Sequence, residues 1–441
     1  MKIVQAAGWY FPDSLGGTEV YVAALAHRLQ AAGHDVQVAA PRAGACAEET
    51  YRHDGIDVYR YPIPTAPTRA ECQGATTVRG AERFHAWLAA AQPDIVHVHT
   101  FVTGLGLAEL RAARAVGARV VVTPHSASLG YVCQRGTMMR WGERLCDGRS
   151  EPTKCAGCVL QSQGVPRPLA RVLAAVPPAV GRWLGRTPMR LGTALGMSAL
   201  IRLNQARQAE TLAVVERLVT LTDWAHDALV RNDAPPGKLA VNRLGVDDVS
   251  APPKPGPAVR STMLPVRVGY LGRFEPIKGV HDLARAVASL PARMPIRVEF
   301  RGPDGDELAR SVVRDLRALV GADTRVTWAP PVLPRDVPRV LAEYDVLCCP
   351  SICLEGGPTV ALEAHAAGTP VIGTRIGGLA ELITDGVNGR LVPPGDWRAL
   401  AGVLVEIAAD PACTVDRWRD ALPPVRSMDE VVKDYLDLYA A

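Results

Sequence analysis

The chain has 441 residues, 48% of them hydrophobic, and a formal net charge of +4. That length calls for two or three domains with full cores, and so small a charge gives no whole-chain argument for nucleic acid, so any basic feature must be local. No uninterrupted apolar run approaches the roughly 18 residues of a membrane span, and the stretch Met1 to Gly8 is too short for a secretory signal; the expected location is the cytoplasm, where ten cysteines argue for thiols or metal rather than disulfides.

The chain opens with an alternating strand from Lys2 to Ala6, and Gly16-Gly17-Thr18-Glu19 starts a helix whose apolar positions Val22, Leu25, Ala26 and Leu29 follow the helical period. Gly33 ends that helix and Val36 to Ala39 is the next strand. This is a Rossmann-like opening without the three-glycine dinucleotide fingerprint. Gly16 and Gly17 serve either a tight turn or the close approach of backbone to a donor phosphate or acceptor. Further strands run from Ile56 to Arg60, Ile95 to His99, Val120 to Thr123 and Leu218 to Leu221, with helices such as Val78 to Ala91 between them. His125 follows the third of these strands at its carboxyl edge. An amino-terminal α/β domain is expected over residues 1–250, with an insert at about 130–210.

Two features mark the insert. Cys133, Cys146, Cys155 and Cys158 are separated by twelve, eight and two residues in a segment expected to be irregular and to have little core of its own. Four thiolates there suit a tetrahedral structural zinc, with an iron-sulfur cluster as the alternative and unligated thiols as the bland reading. From Pro152 to Ala209 there is no acidic residue but eight basic ones, among them Arg182, Arg186 and Arg190, interleaved with Leu169, Val172, Trp183 and Leu184. Two readings fit: a basic amphipathic surface lying on an anionic membrane at the inner face, or a helical insert packed on its domain with its arginines in water.

Pro252-Pro253-Lys254-Pro255-Gly256-Pro257 breaks every regular pattern and reads as a linker over 251–265. A second α/β domain, 266–425, follows with strands at Arg267 to Leu271, Ile296 to Phe300, Arg325 to Trp328, Asp345 to Cys349, Val371 to Gly373 and Arg390 to Val392. Asp304-Gly305-Asp306 looks like a metal motif, but it sits where a helix begins and is expected to cap it. The segment 426–441 is an amphipathic helix that either caps this domain or returns to the first.

The most informative stretch runs from Asp345 to Gly378. A strand is followed by a loop carrying Glu355 and by a helix from Pro358 to Ala367, so the amides of Thr359, Val360 and Ala361 are expected at the carboxyl edge of a parallel sheet, a phosphate site. Glu355 before that helix and Glu363 inside it repel phosphate but accept hydrogen bonds from hydroxyls. A group carrying phosphate between two polyols fits both. Gly272-Arg273-Phe274-Glu275-Pro276-Ile277-Lys278-Gly279 also leaves a strand's carboxyl edge, and Arg273 and Lys278 suit phosphate.

Glu355 and Glu363, with seven residues between them including Gly356-Gly357-Pro358 and followed by Gly368-Thr369-Pro370-Val371-Ile372, resemble the paired-glutamate motif of retaining glycosyltransferases of family 4. The segments Tyr10-Phe11-Pro12 through Glu19, Gly33-His34-Asp35-Val36 and Gly272 to Gly279 resemble the same family. The resemblance implies the GT-B fold, α/β with two facing Rossmann-like domains and a terminal helix crossing back to the first. It implies a nucleoside-diphosphate sugar donor and no catalytic metal; the basic insert, on the acceptor side of such an enzyme, adds the expectation of a glycan or lipid-linked acceptor, and no nucleic acid is expected as partner. The resemblance assigns Glu363 to the ribose, Glu355 to the donor sugar hydroxyls, Arg273 and Lys278 to the diphosphate, and His125 to the donor sugar, with Gly16, Gly17, Gly357 and the amides at 359–361 near the donor. A sensor that binds the donor without transfer, or a GT-B epimerase, would keep the same site. Two departures stand out: Leu244 where the family often has asparagine, and Gly356-Gly357 in place of an aromatic pair.

Overall fold

The computed structural model describes residues 1–14, 16–74, 76–187, 189–247 and 264–440. Of the expected linker 251–265, only Leu264 and Pro265 lie among the described residues. The chain divides into two compact units, one of Met1–Trp141, Cys146–Arg243 and Asp429–Ala441, the other of Gly142–Leu145 and Leu244–Met428.

The first unit is built on one eight-stranded sheet. Its strands are β1 (Lys2–Ala7), β2 (Asp35–Ala43), β3 (Glu49–His53), β4 (Ile56–Ile63), β5 (Ile95–His99), β6 (Arg119–Thr123), β7 (Arg217–Thr220) and β8 (Leu239–Val241), in the order β8-β7-β6-β5-β1-β2-β4-β3. All pair in parallel except β3, which runs antiparallel along the edge of β4. Val4 lies between Gln37 on one side and Val96 on the other, and β5 is buried throughout, as strands covered on both faces must be. The sequence did not announce β3, because Glu49, Arg52 and His53 give it no apolar alternation. The strand order reverses between β1 and β5, which makes their carboxyl ends a topological switch point.

Helix α1 (Gly17–Ala31) follows β1. The insert is helical: α2 (Pro152–Ser162), α3 (Arg167–Ala174), α4 (Pro178–Leu184), α5 (Arg190–Leu195) and α6 (Met197–Val214). It also has a core of its own, where Ala156, Val159, Leu160, Ala170, Ala174, Met197 and Ile201 close on one another. The expectation of an irregular segment with little core is therefore corrected: Cys155 and Cys158 sit on α2, and three helices supply the apolar contacts.

The second unit carries a six-stranded, all-parallel sheet. Its strands are β9 (Val266–Leu271), β10 (Ile296–Arg301), β11 (Val326–Ala329), β12 (Val346–Cys349), β13 (Val371–Thr374) and β14 (Gly389–Val392), in the order β11-β10-β9-β12-β13-β14. Its switch point falls between β9 and β12, where Val268 faces Val346. Asp306 accepts the Ala309 amide at 2.8 Å as the cap of the following helix. Helix α7 (Thr359–Ala366) follows β12.

The last helix, α8 (Met428–Ala440), leaves the second unit at Met428 and packs within the first. Val431, Tyr435 and Tyr439 are buried there, and the Asn242 side-chain amide donates to the Val431 carbonyl at 3.1 Å.

Candidate functional site

In the second unit, the loops 272–279 after β9 and 350–358 after β12 leave the two strands that flank the switch point. They are fastened to each other. The Ile352 amide donates to the Ile277 carbonyl at 2.9 Å. Gly279, at φ +67°, lies so close to Pro350 that a Cβ would fall 1.8 Å from the Pro350 carbonyl oxygen, so only glycine fits. This fastening places Lys278 Nζ 2.7 Å from Glu355 Oε1, which also accepts the Ser351 hydroxyl at 2.7 Å. The Thr374 hydroxyl donates to the Ser351 carbonyl at 2.6 Å. Burial disfavours the charged Lys278 amine, but the Glu355 carboxylate outweighs it and holds the amine above the ordinary lysine value. The ion pair keeps side-chain exposures of 25% and 16%, so a ligand can still reach it.

Arg273 lies in the same loop but is turned to Glu275, Nη1 to Oε1 at 2.8 Å, and its side chain is 65% exposed. Sequence reasoning named Arg273, Lys278 and Glu355 but missed Glu275, Ser351 and Thr374, which position them. Ser351 stands four residues before Glu355, a spacing with no meaning until the loop's path is known.

Two expectations for α7 are corrected. Pro358 is the cap position rather than a first-turn residue, and the helix ends at Ala366. The Ala361 amide is already spent on the Pro358 carbonyl at 2.9 Å, which leaves the amides of Thr359 and Val360 without a backbone acceptor among the described residues. The side-chain carboxyl of Glu363, one turn further on, has no hydrogen-bond partner among the described residues, and burial pushes it up to about 7. It is not a solvated helix residue. Gly357 sits at φ +149° with Leu244 Cδ1 2.2 Å from where a Cβ would be. The two departures from the family pattern thus meet in space, since the buried leucine fills the volume that a side chain at position 357 would need.

The first unit holds His125, in the loop after β6. Its amide donates to Thr100 Oγ1 at 2.9 Å, and its Nε2 lies 3.1 Å from His99 Nδ1. His99 Nε2 is 2.6 Å from Gln5 Oε1. His97 bridges the Tyr439 hydroxyl at 2.7 Å and Thr123 Oγ1 at 2.8 Å, and Thr123 in turn meets the Tyr435 hydroxyl at 3.0 Å. Burial pushes His125 down to about 4 and holds His97 and His99 well below the usual histidine range, so all three are neutral at pH 7. With the Gln5 oxygen as acceptor, His99 carries its proton on Nε2 and accepts the His125 Nε2–H at Nδ1. His125 Nδ1 is then left as an acceptor. His97 and His99, two apart on β5, share one face of the strand, and that spacing was the overlooked signal. Gly16 caps α1 at φ −84°, an ordinary conformation, and Gly17 is the first helical residue. A Cβ on Gly16 would lie 2.5 Å from the Glu19 carboxylate.

Two cavities adjoin this unit's helical insert. The larger, about 960 Å³, is lined by loops that follow β5 and β6 and by α6, with apolar Phe101, Leu107, Met197 and Leu203 beside Arg207. The smaller, about 30 Å³, is lined by all four of Cys133, Cys146, Cys155 and Cys158. All ten cysteines are free thiols.

A family model described as glycosyl transferases group 1 matches residues 265–410, and one described as a glycosyl transferase 4-like domain matches residues 16–150. The chain is similar to a D-inositol 3-phosphate glycosyltransferase of Salinispora tropica, with 27% identity over 96% of this chain and 80% of that one. A protein of the same name from Saccharomonospora viridis is 35% identical over 46% of this chain and 50% of its own length. Among solved structures, the sucrose-phosphate synthase of Thermosynechococcus elongatus superposes with a TM-score of 0.67 at 19% identity, covering 100% of this chain and 98% of that one. Anabaena HepE in complex with UDP and glucose gives 0.63 at 14% identity, covering 100% and 99%. These likenesses establish the fold.

Proposed function

The chain is a glycosyltransferase of the two-domain GT-B fold, and we propose that it is a retaining enzyme that takes its sugar from a nucleoside-diphosphate donor. The observation that carries this reading is the Lys278–Glu355 pair at the switch point of the second sheet, 2.7 Å apart and beside the open first turn of α7. Amides of Thr359 and Val360 and the cations Lys278 and Arg273 receive the diphosphate, and Glu363 accepts from the ribose hydroxyls. Glu355 orients Lys278 and faces the donor sugar. As the bond from the sugar's anomeric carbon to phosphate oxygen breaks, negative charge grows on the departing diphosphate, and fixed cations lower that barrier. The acceptor oxygen bonds the same carbon on the same face, and its proton passes to the leaving phosphate oxygen. No metal takes part in this step. His125 Nδ1 serves as an acceptor for a sugar hydroxyl.

The acceptor side of the reading is a lipid-linked glycan, with the insert resting on an anionic membrane surface. Trp183 and Val172 are each 68% exposed, and Met189 and Leu191 are 63% and 59% exposed. Arg182, Arg186 and Arg190 lie among them with no carboxylate partner among the described residues. No helix among the described residues is long and apolar enough to cross a membrane, so the contact would be peripheral. The half-apolar cavity with Arg207 suits an acceptor that joins an anionic group to apolar surface. A second reading, a soluble inositol phosphate acceptor like that in the relatives' names, draws on the same arginine.

The test is to offer uridine, guanosine and adenosine diphosphate sugars, with lipid-linked or soluble phosphate-bearing acceptors. One donor should stabilise the protein against heat by mass action and be consumed, with the product retaining the anomeric configuration by NMR. Donor binding without consumption would favour a sensor, release of free altered sugar an epimerase, and an inverted product would remove the retaining mechanism.

A further inference from the structure

The densest set of chemistry-bearing side chains outside the transfer site is the thiol cluster at the base of the insert. We infer that Cys133, Cys146, Cys155 and Cys158 form a four-thiolate site for zinc that braces the acceptor-side cavity. All four line one cavity of about 30 Å³, room for an ion and not for an organic ligand. They come from three segments, and those of Cys133 and Cys146 are held by short backbone contacts. The Cys133 amide closes on the Ser128 carbonyl at 2.9 Å, the Gly136 amide on the Cys133 carbonyl at 3.0 Å, and the Cys146 amide on the Met138 carbonyl at 2.9 Å. Cys155 and Cys158, three apart on α2, share a helix face.

Backbone amides point at two of the sulfurs. The Trp141 amide points at Cys158 Sγ at 3.3 Å and the Glu151 amide at Cys155 Sγ at 3.4 Å. A neutral thiol is a poor acceptor, whereas a thiolate makes such bonds charge-assisted. Arg135 Nη1 stands 3.8 Å from Cys158 Sγ, and Arg140, Arg149 and Lys154 line the same cavity. The three arginines oppose the net double negative charge of a zinc ion with four thiolates, while Lys154 is paired with Asp147 and Glu151. Soft sulfur donors select zinc over magnesium or calcium, and with every position filled by protein the ion has a structural role. The sulfurs rim the cavity rather than meet in it: among the described residues no group of three or more His, Cys, Asp or Glu is disposed to hold an ion as it stands. Binding therefore draws the thiolates inward and releases their protons. Cys133 and Val159 also line the 960 Å³ cavity, so the ion would fix a wall that the two cavities share.

The readouts do not depend on transfer. Full-length protein purified without chelator should contain about one zinc per chain, as a four-cysteine site requires, and a mercurial thiol reagent should release it. Cobalt(II) in place of zinc should give the intense visible bands of tetrahedral thiolate coordination. The Cys155→Ser, Cys158→Ser double variant should lose both zinc and bands. Because that variant could unfold the insert, the wild-type cobalt spectrum stands as the independent measurement. Protein without metal that also gives no cobalt bands would overturn the inference, and so would iron with acid-labile sulfide.

Discussion

Lys278 and Arg273 were read from sequence as equals, and the structure separates them. Lys278 is anchored on Glu355 at 2.7 Å, while Arg273 reaches Glu275 from a mostly exposed position. Preorganised charge lowers a barrier more than charge that must first be gathered. Lys278→Ala should therefore slow transfer by about 100-fold or more, the scale of losing one such stabilising group, and Arg273→Ala by less. Steady-state kinetics on the two variants checks this. Rates within a factor of about two of wild type for both would put the diphosphate elsewhere. Glu363 makes a pH prediction. Its carboxyl is raised to about 7 by burial, so it is largely protonated in the free protein at mildly acid pH. The ionised form is the better acceptor for ribose hydroxyls, so donor affinity should rise as pH rises through about 7 and level off above it. The same shift means that the fold loses stability from this group as pH climbs from the ordinary carboxyl range through that value. Glu363→Gln should flatten the dependence measured by calorimetric titration, and a wild-type profile already flat would remove Glu363 from the ribose site.

Among the elements, the insert was only half legible. The acid-free run and the amphipathic pattern were visible in the sequence, but the choice between a packed insert and a docking surface turned on which side chains are covered. The structure shows a packed face and an exposed one. One face of α2, α3 and α6 makes a core, and Arg167 and Arg171 lie over the Trp141 ring. Trp183, Met189 and Leu191 face outward beside Arg182, Arg186 and Arg190. Anionic vesicles should bind the protein, more weakly as salt is added, because exposed charges are screened beyond about 10 Å at 0.1 M. Replacing Arg182, Arg186 and Arg190 by glutamate should abolish vesicle sedimentation and leave nucleotide binding intact. Equal sedimentation by wild type and triple variant would leave these arginines in water and favour the soluble acceptor.

For the whole molecule, the decisive feature is the return of the chain. Helix α8 ends the sequence yet belongs to the first unit, where Tyr435 and Tyr439 are buried against β5 and β6 residues. Tyr439→Ala should destabilise that unit by about 3–5 kcal/mol, the usual cost of emptying a large aromatic site. Tyr439→Phe removes the hydroxyl that meets His97 and Gln5 and should cost about 1–3 kcal/mol, the usual penalty for leaving buried partners unpaired. Urea unfolding measures both, and an unchanged midpoint for Tyr439→Ala would mean that α8 contributes little to the fold.

The sequence alone determined the two α/β units and most of their parallel strands, because buried parallel strands read as largely apolar runs. It also supplied the glutamates, Lys278, Arg273 and the four cysteines, since charge and thiol chemistry are legible one residue at a time. Tertiary structure alone decided which of these meet. Lys278 and Glu355 are 77 positions apart and come together only because β9 and β12 are neighbours in the sheet. Ser351, Thr374 and the His97–His99–His125 chain of hydrogen bonds have no local signature. Their roles arise from contacts between distant segments, which side-chain periodicity does not encode.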